Sequence, residues 1–245
     1  MTEIATTQAA TTPGRKGLLA RAIGVVISPR STYGDISSRP RVLGALALTV
    51  AIIVTGTALF VNSEVGRQAV LDQQVQQREA FGRPMTDAQY EAIERFAPYF
   101  AYLTAASQIV FVPLLALVVA AISYALFTAI LGGDALFKQV FAAVAHSGFV
   151  LALAQFFVLP LDYVRESLTS PTNLHVFLPF IEDNTLPARL LGSIDLVYVW
   201  WMVNLAIGLG VLYRRRTGPI AIGILAIYFV IALAVAVVRS ALAGA

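Results

Sequence analysis

The side chains that could do chemistry in this chain stand inside long apolar segments. His146 and Asp195 are the ionisable ones, and Asn204 adds a polar amide near the middle of another apolar stretch. An ionisable residue within a membrane span is a functional candidate by default, because its burial in hydrocarbon is costly. Together with Gln108 and Gln155 these residues form a candidate intramembrane polar site, which would line a proton or solute path.

A structural role for the same groups is the alternative, and we favour it. His146 would bond a partner helix, and Asp195 would cap a helix or lie at headgroup level. Gln108 would satisfy a carbonyl freed by a kink at Pro113. His146 and Gln155 are nine residues apart, about two and a half helical turns, so they point to opposite faces of one helix.

Several classes of chemistry are excluded by the residue types. The chain has no cysteine, which rules out disulfides, thiolate metal sites and thiol nucleophiles. Its two histidines, His146 and His175, are not in a His-Glu-x-x-His motif, and no glycine-rich phosphate loop precedes a Lys-Ser or Lys-Thr pair. We therefore predict no catalytic residues, no cofactor, no metal and no nucleic-acid partner.

The composition is that of an integral membrane protein. Of 245 residues, 58% are hydrophobic and 13% are charged, whereas soluble domains carry about 25% charged residues. The mean hydropathy is +0.76. The net charge of +3 says little by itself, because in membrane proteins the distribution of positive residues matters more.

Long uncharged or nearly uncharged windows predict five transmembrane helices, since about 20 apolar residues cross a bilayer core. The second window is longer than a bilayer requires, so it must tilt, protrude or bend, and Pro113 is the natural kink. We expect an all-α polytopic protein whose membrane domain covers residues 42–238. The predicted spans are about 42–61, 99–131, 137–161, 190–213 and 220–238.

Residues 1–41 form the predicted cytoplasmic N-terminal region. Its first 14 residues have the composition of a disordered tail. Residues 15–27 alternate basic and apolar side chains at helical spacing, which predicts an amphipathic helix lying on the bilayer surface. Pro29 should end this helix, and the connection that follows should be irregular.

Two longer loops join the spans. The first is predicted to hold a helical hairpin, since Thr86 to Gln89 fits a capping box that opens its second helix. The second loop, residues 171–187, is too apolar for a free loop and too short to span, so it should dip into the interface or cover the bundle.

Positive residues predict the orientation. Residues 1–41 carry six Lys and Arg, the link before the third span one and the link before the fifth three, which gives ten against seven on the opposite side. By the positive-inside rule the N-terminus is cytoplasmic, and residues 239–245 form an extracytoplasmic tail. Candidate docking or lipid contacts on the cytoplasmic face are Tyr33, Arg39, Arg41, Arg214, Arg215 and Arg216.

The chain resembles a bacterial member of the Yip family, the Ypt/Rab-interacting proteins. The resemblance rests on the five spans and on three segments, and it runs from about Leu18 to Val238. The segments read SPRSTYGDISSRP before the first span, GGDALFKQVFAAVAHSG at the third, and LLGSIDLVYVWWMVNLAIGLGVLYRRRTGP through the fourth.

The resemblance implies a small helical membrane protein without known catalytic residues. Eukaryotic relatives act in membrane traffic with prenylated Rab GTPases and with other family members. Their Asp-Leu-Tyr-Gly-Pro type of motif is absent here, and only Tyr33-Gly34-Asp35 stands in the corresponding place. Rab binding is therefore not carried over to this chain.

Two functions remain open from the sequence. The first is a non-enzymatic scaffold or adaptor in a bacterial inner membrane, which associates with itself or another membrane protein and contacts anionic lipids. The second is a small oligomeric permease or channel with a polar path near His146. Gly56, Gly208 and Gly210 permit close helix packing within the bundle or between protomers.

Overall fold

A computed structural model describes residues 16–80, 83–183 and 185–243. The predicted tail 1–14, Arg15 and the end of the predicted tail 239–245 lie outside the described residues. Eleven α-helices are found in the described part, and no strand is. They are α1 Leu18–Ile27, α2 Pro29–Ser38, α3 Leu43–Asn62, α4 Glu64–Ala80, α5 Asp87–Phe96, α6 Phe100–Tyr124, α7 Phe137–Ser147, α8 Phe149–Arg165, α9 Leu186–Gly192, α10 Leu196–Leu212 and α11 Thr217–Ala243.

The architecture confirms a polytopic helical membrane protein. Within the described residues four stretches are long and apolar enough to cross a membrane: Leu43–Asn62, Asp87–Ile130, Phe137–Arg165 and Thr217–Leu242. The fourth predicted span corresponds to α10, a shorter apolar helix of 17 residues. At 1.5 Å per residue α10 is about 25 Å long, slightly less than a bilayer core, so five crossings stay a prediction.

The central helices are α7, α8 and α10. Over the most apolar part of each span, 56% of the α7–α8 residues are buried, against 11% in the α5–α6 span and 17% in α11. The last two are thus peripheral, with most side chains facing outward. We call the end of the bundle that carries residues 166–183 the loop end.

The N-terminal region differs from the prediction in one helix. Pro29 does not lead into an irregular connection: it is the first residue of α2, which continues to Ser38. A proline is well tolerated there because the first helical N–H has no partner within the helix. Irregular backbone is confined to Ser28, the cap shared by both helices, and to residues 39–42 before α3.

Two predicted spans differ from their expected bounds. The third continues beyond residue 161 to Arg165, and Gly148, between α7 and α8, keeps helical backbone angles within this one long stretch. The fourth does not run unbroken from residue 190, because Asp195 starts a new helix there. Its carboxylate accepts hydrogen bonds from the backbone N–H groups of Val197 and Tyr198, as an N-cap residue does.

The second predicted span agrees with a long helical stretch. The α6 helix continues through Pro113 and ends in a π-helix, Ala125–Ile130; the predicted bend at this proline stays a prediction. Ahead of it, α4 and α5 form as the predicted hairpin requires. The capping box of α5 is confirmed, with Thr86 Oγ1 accepting from Gln89 N and Gln89 Oε1 accepting from Thr86 N.

Candidate functional site

The N-terminal helix pair is fastened to the bundle through three residues that we call the latch: Val25, Tyr33 and Asn204. The Tyr33 hydroxyl donates to Asn204 Oδ1 at 2.5 Å, and Asn204 Nδ2 donates to the Val25 carbonyl at 2.8 Å. That carbonyl is in the last turn of α1, where helical partners run out, and Pro29 four residues on has no N–H to offer. Burial raises the pKa of Tyr33 above its usual range, so its phenol stays a donor.

Glycine makes this contact possible. A Cβ at Gly208 would lie 2.8 Å from Tyr33 Cε1, too close for real carbon atoms. A Cβ at Gly56 would similarly meet Leu159 Cδ1 at 2.6 Å. These two glycines, predicted to permit packing within the bundle or between protomers, therefore serve packing within the chain.

A buried ion pair next to the latch joins α1 to α2. Arg21 Nε donates to Asp35 Oδ2 at 2.8 Å, with the two side chains 4% and 20% exposed. Arg21 Nη2 also donates to the Arg39 carbonyl at 3.2 Å. Arg21 thus faces the protein, whereas Leu19 and Ile23 face outward and supply the apolar side that the predicted interfacial helix needs.

The residues predicted as cytoplasmic docking or lipid contacts differ in their exposure. Tyr33 is 1% exposed, so its prediction as a docking or lipid contact is wrong: its ring packs against Gly208 and its hydroxyl is bound. Arg39, Arg41 and the run from Arg214 to Arg216 are exposed. Within that run, Arg215 Nη2 donates to the Leu131 carbonyl at 3.2 Å.

A cavity of about 390 Å³, lined mainly by apolar side chains with a few polar ones among them, lies among α3, α6, α8 and α10. Three residues of the predicted polar site line it: Gln108, Gln155 and Asp195. The cavity runs from Ser170 and Thr172 at the loop end into the bundle. The sequence therefore identified three of the few polar residues that line this cavity.

The other two members of the predicted site lie elsewhere. His146 is fully buried in α7, with Nδ1 2.7 Å from the Ala142 carbonyl, and it does not line the cavity. Asn204 belongs to the latch. The predicted set is thus divided among three places: the cavity, the buried position of His146 in α7, and the latch.

Asp195 closes the loop end of the cavity. Besides the two backbone N–H groups of α10, its carboxylate accepts hydrogen bonds from the hydroxyls of Ser170 and Thr172, the latter at 2.9 Å. The Tyr228 hydroxyl accepts from Asp195 N at 3.0 Å. This carboxylate is therefore fully supplied with donors. Sequence reasoning missed Ser170 and Thr172, for which the short polar run beside Pro171 was the only signal.

Three residues that line the cavity each carry a side-chain oxygen atom without a partner. Thr49 Oγ1, Gln108 Oε1 and Asp162 Oδ1 are buried without a hydrogen bond from any described residue. Gln108 Nε2 donates to Thr57 Oγ1 at 3.2 Å, so the prediction that Gln108 satisfies a backbone carbonyl near Pro113 is wrong. Its acceptor lies on the neighbouring helix α3 instead.

Asp162 and Thr49 were missed by sequence reasoning. Asp162 stood at the edge of a predicted loop, but α8 extends to Arg165 and carries Asp162 into the helix. Thr49 is one hydroxyl within an apolar span, which gives no signal by itself. Among the described residues, no group of three His, Cys, Asp or Glu side chains could hold a metal ion.

The comparisons with known proteins agree with this architecture. The family model described as Yip1 domain matches residues 23–239, from the first turns of α1 almost to the end of α11. No curated protein and no solved structure matches the chain. Because the match covers nearly all of the helical bundle, the chain belongs to the family of Yip1-domain membrane proteins.

Proposed function

We propose that this protein is a non-enzymatic membrane scaffold or adaptor that associates laterally with itself or with other membrane proteins. The observation that supports the proposal is the uneven burial of the spans. In the most apolar stretch of the α5–α6 span only 11% of the residues are buried within the chain, and in that of α11 only 17%. Each presents a long apolar face to lipid and to any neighbouring span.

Photo-crosslinking in native membranes tests the lateral association. A photoreactive residue is placed at Val110 of α6 or at Ile222 of α11, which are 66% and 69% exposed. We expect a discrete protein adduct at one face, reproducible in size and identifiable by mass spectrometry as this chain or another membrane protein. Adducts with lipid alone at both faces would contradict the proposal.

The matched control places the same residue at Leu209 in α10, which is 1% exposed. Its adducts should be intramolecular. Because the chain has no cysteine, single-cysteine variants at Val110 or Ile222 provide a second test that needs no unnatural amino acid. A disulfide can then form only between two copies of the chain. A disulfide-linked dimer from one of these positions, absent from Leu209→Cys, identifies self-association.

The proposal includes an orientation and a lipid partner. The N-terminus is cytoplasmic in a bacterial inner membrane, and the exposed arginines at 214–216 contact anionic lipid headgroups. In support, Arg215 and Arg216 border an apolar groove of about 450 Å³ between the end of α6 and α11. Replacing the three arginines by alanine should disturb topology reported by terminal fusions; unchanged topology would remove their role as anchors.

A second candidate function is a small oligomeric permease or channel, which the cavity favours. Such a path would use Gln108 and Gln155 rather than His146, since His146 does not line the cavity. Solute or ion flux in liposomes containing the purified protein distinguishes the two functions. Flux above that of empty liposomes, lost when Gln108 is changed to leucine, would favour transport, whereas a scaffold produces none.

A further inference from the structure

We infer that the apolar groove between the end of α6 and α11 is a discrete site for one anionic phospholipid, with an acyl chain in the groove and the phosphate on Arg215 and Arg216. We call it the lipid groove. The inference rests on the lipid contact in the proposed function and goes further. General attraction between basic residues and the membrane needs no groove, whereas this site binds one lipid molecule at a defined place.

The walls of the lipid groove are apolar and face the membrane. One wall consists of Leu126 and Phe127 in the π-helix, followed by Leu131, and the other is the part of α11 from Pro219 to Ile227. Leu126 and Ile227 are 39% and 59% exposed. Both lie in or next to spans that turn most of their side chains outward, so the groove opens towards lipid.

The groove has the depth of one leaflet. Its deepest α11 residue, Ile227, is ten residues beyond Thr217, where the helix begins, which is about 15 Å of helix. A bilayer core is about 30 Å thick, so one leaflet contributes about half of that. Arg215 and Arg216 directly precede Thr217 and lie at the headgroup end. The order of charge and apolar surface along the groove is therefore that of a phospholipid.

The arginines have donors to spare for a phosphate. Arg215 Nη2 donates to the Leu131 carbonyl on the opposite wall at 3.2 Å, which ties the two walls together at the charged end. The ion pairs found among the described residues involve neither Arg215 nor Arg216, and the exposed Asp134 in the link after the π-helix forms none. A guanidinium binds phosphate oxygens through two parallel hydrogen bonds. The charges of groove and headgroup are thus complementary.

A glycine keeps the middle of the groove open. Gly223 lines it between Pro219 and Ile227, and a Cβ built at Gly223 would meet nothing within 4 Å. The space that a side chain would fill is therefore free for a hydrocarbon chain. A larger apolar residue at this position would occupy the groove without touching either arginine.

Lipid binding to the purified full chain in a non-ionic detergent tests the inference. The probes are dioleoylphosphatidylglycerol, dioleoylphosphatidylcholine and inorganic phosphate. We expect native mass spectrometry to show one retained phosphatidylglycerol, and the midpoint of thermal unfolding to rise saturably with its concentration, because a ligand of the folded state stabilises it. Phosphatidylcholine should act more weakly, since its choline opposes the arginines, and phosphate, which has no acyl chain, should not act.

Three results would overturn the inference. The absence of a saturable rise with phosphatidylglycerol would remove the site. An equal rise with phosphatidylcholine would remove the role of charge, and an equal rise with inorganic phosphate would reduce the groove to an anion site without an acyl chain.

Variants of the arginines separate the site from general attraction. Arg215→Gln combined with Arg216→Gln should weaken phosphatidylglycerol binding at least tenfold, because charge-assisted hydrogen bonds to the phosphate are lost. The control combines Arg30→Gln and Arg41→Gln, which change the net charge equally at exposed positions on the same predicted side of the membrane. It should bind as the parent chain does. Equal losses in both double variants would mean that no discrete site exists.

A variant of the apolar part keeps both arginines. Gly223→Leu should fill the groove and weaken phosphatidylglycerol binding, whereas Ala234→Leu adds similar bulk at an exposed α11 position outside the groove and should not. This pair remains informative if the arginine variants do not fold. Unchanged binding in Gly223→Leu would place the lipid elsewhere.

The lipid groove and the scaffold can fail separately. Lateral association is measured by adducts at Val110 and Ile222, and lipid binding by retained phosphatidylglycerol. Lipid adducts alone at both positions together with one retained phosphatidylglycerol would contradict the scaffold and leave the lipid groove. Protein adducts without phosphatidylglycerol binding would do the reverse.

Discussion

The latch and the cavity both place polar side chains inside an apolar bundle. They differ in whether the polar atoms of those side chains have hydrogen-bond partners. In the latch, Tyr33 and Asn204 bind each other and Asn204 also serves a carbonyl that its own helix leaves free. Around the cavity, three side-chain oxygens have no partner among the described residues. An unsatisfied polar group in hydrocarbon is expensive. The latch therefore holds the architecture, whereas the residues around the cavity leave hydrogen-bonding capacity unused.

The largest expected effect comes from the ion pair beneath the latch. Asp35→Ala leaves the guanidinium of Arg21 buried without its carboxylate. Removing one partner of a buried pair costs about 3–5 kcal/mol, and the partial exposure of Asp35 places the loss near the lower value. Thermal unfolding in detergent measures it. The control is Asp134→Ala at an exposed position; similar midpoints for both variants would contradict a structural role.

The next effect is that of the amide in the latch. Asn204→Ala removes two hydrogen bonds at once and should cost about 2 kcal/mol of unfolding free energy. Tyr33→Phe removes one of them and should cost less. A double-mutant cycle measures their coupling, because residues in one network are not additive. Purely additive losses would mean that the hydrogen bond contributes nothing.

A smaller effect is expected from the glycine under the tyrosine ring. Gly208→Ala places a methyl group 2.8 Å from Tyr33 Cε1, so the helix pair must shift, at a cost of about 1–2 kcal/mol. Gly223→Ala in α11 is the matched control, since nothing lies within 4 Å of its Cβ. Alanine there should be neutral or slightly stabilising. Equal loss at both positions would indicate a general intolerance of alanine.

The smallest effect has the opposite sign. Thr49→Val replaces an unpartnered buried hydroxyl by a methyl group of the same shape, so the protein should gain up to about 1 kcal/mol. Thr32→Val makes the same change beside the latch, where Oγ1 accepts from Lys16 Nζ at 3.0 Å, and should be destabilising. If both variants lost stability equally, the distinction between the two regions would fail.

The sequence predicts the fold well where the signal is local. The apolar windows, the amphipathic α1 and the capping box at Thr86 each depend on residues within a few turns of one another. The α2 helix is missed because its residues have little apolar pattern. Its support comes from Asn204, which is 171 residues from Tyr33 along the chain.

The candidate site shows the same division. Gln108, Gln155 and Asp195 are conspicuous because polar residues are rare in apolar spans, and the structure brings all three to one cavity. Asp162 at a span end and Thr49 within one carry no comparable signal. Which polar residues converge depends on how α3, α6, α8 and α10 pack, and the periodicity of one chain does not contain that information.

The Asn204 hydrogen bond has a consequence for the order of assembly. It joins α10 to the Val25 carbonyl across 179 residues, which a ribosome adds in about 10–40 s at 5–20 residues per second. The first helices to be synthesised are therefore among the last to pack against the bundle. During that interval α10 is not yet available to the N-terminal helix pair. The apolar face of the pair favours binding to the membrane surface until α10 has been made.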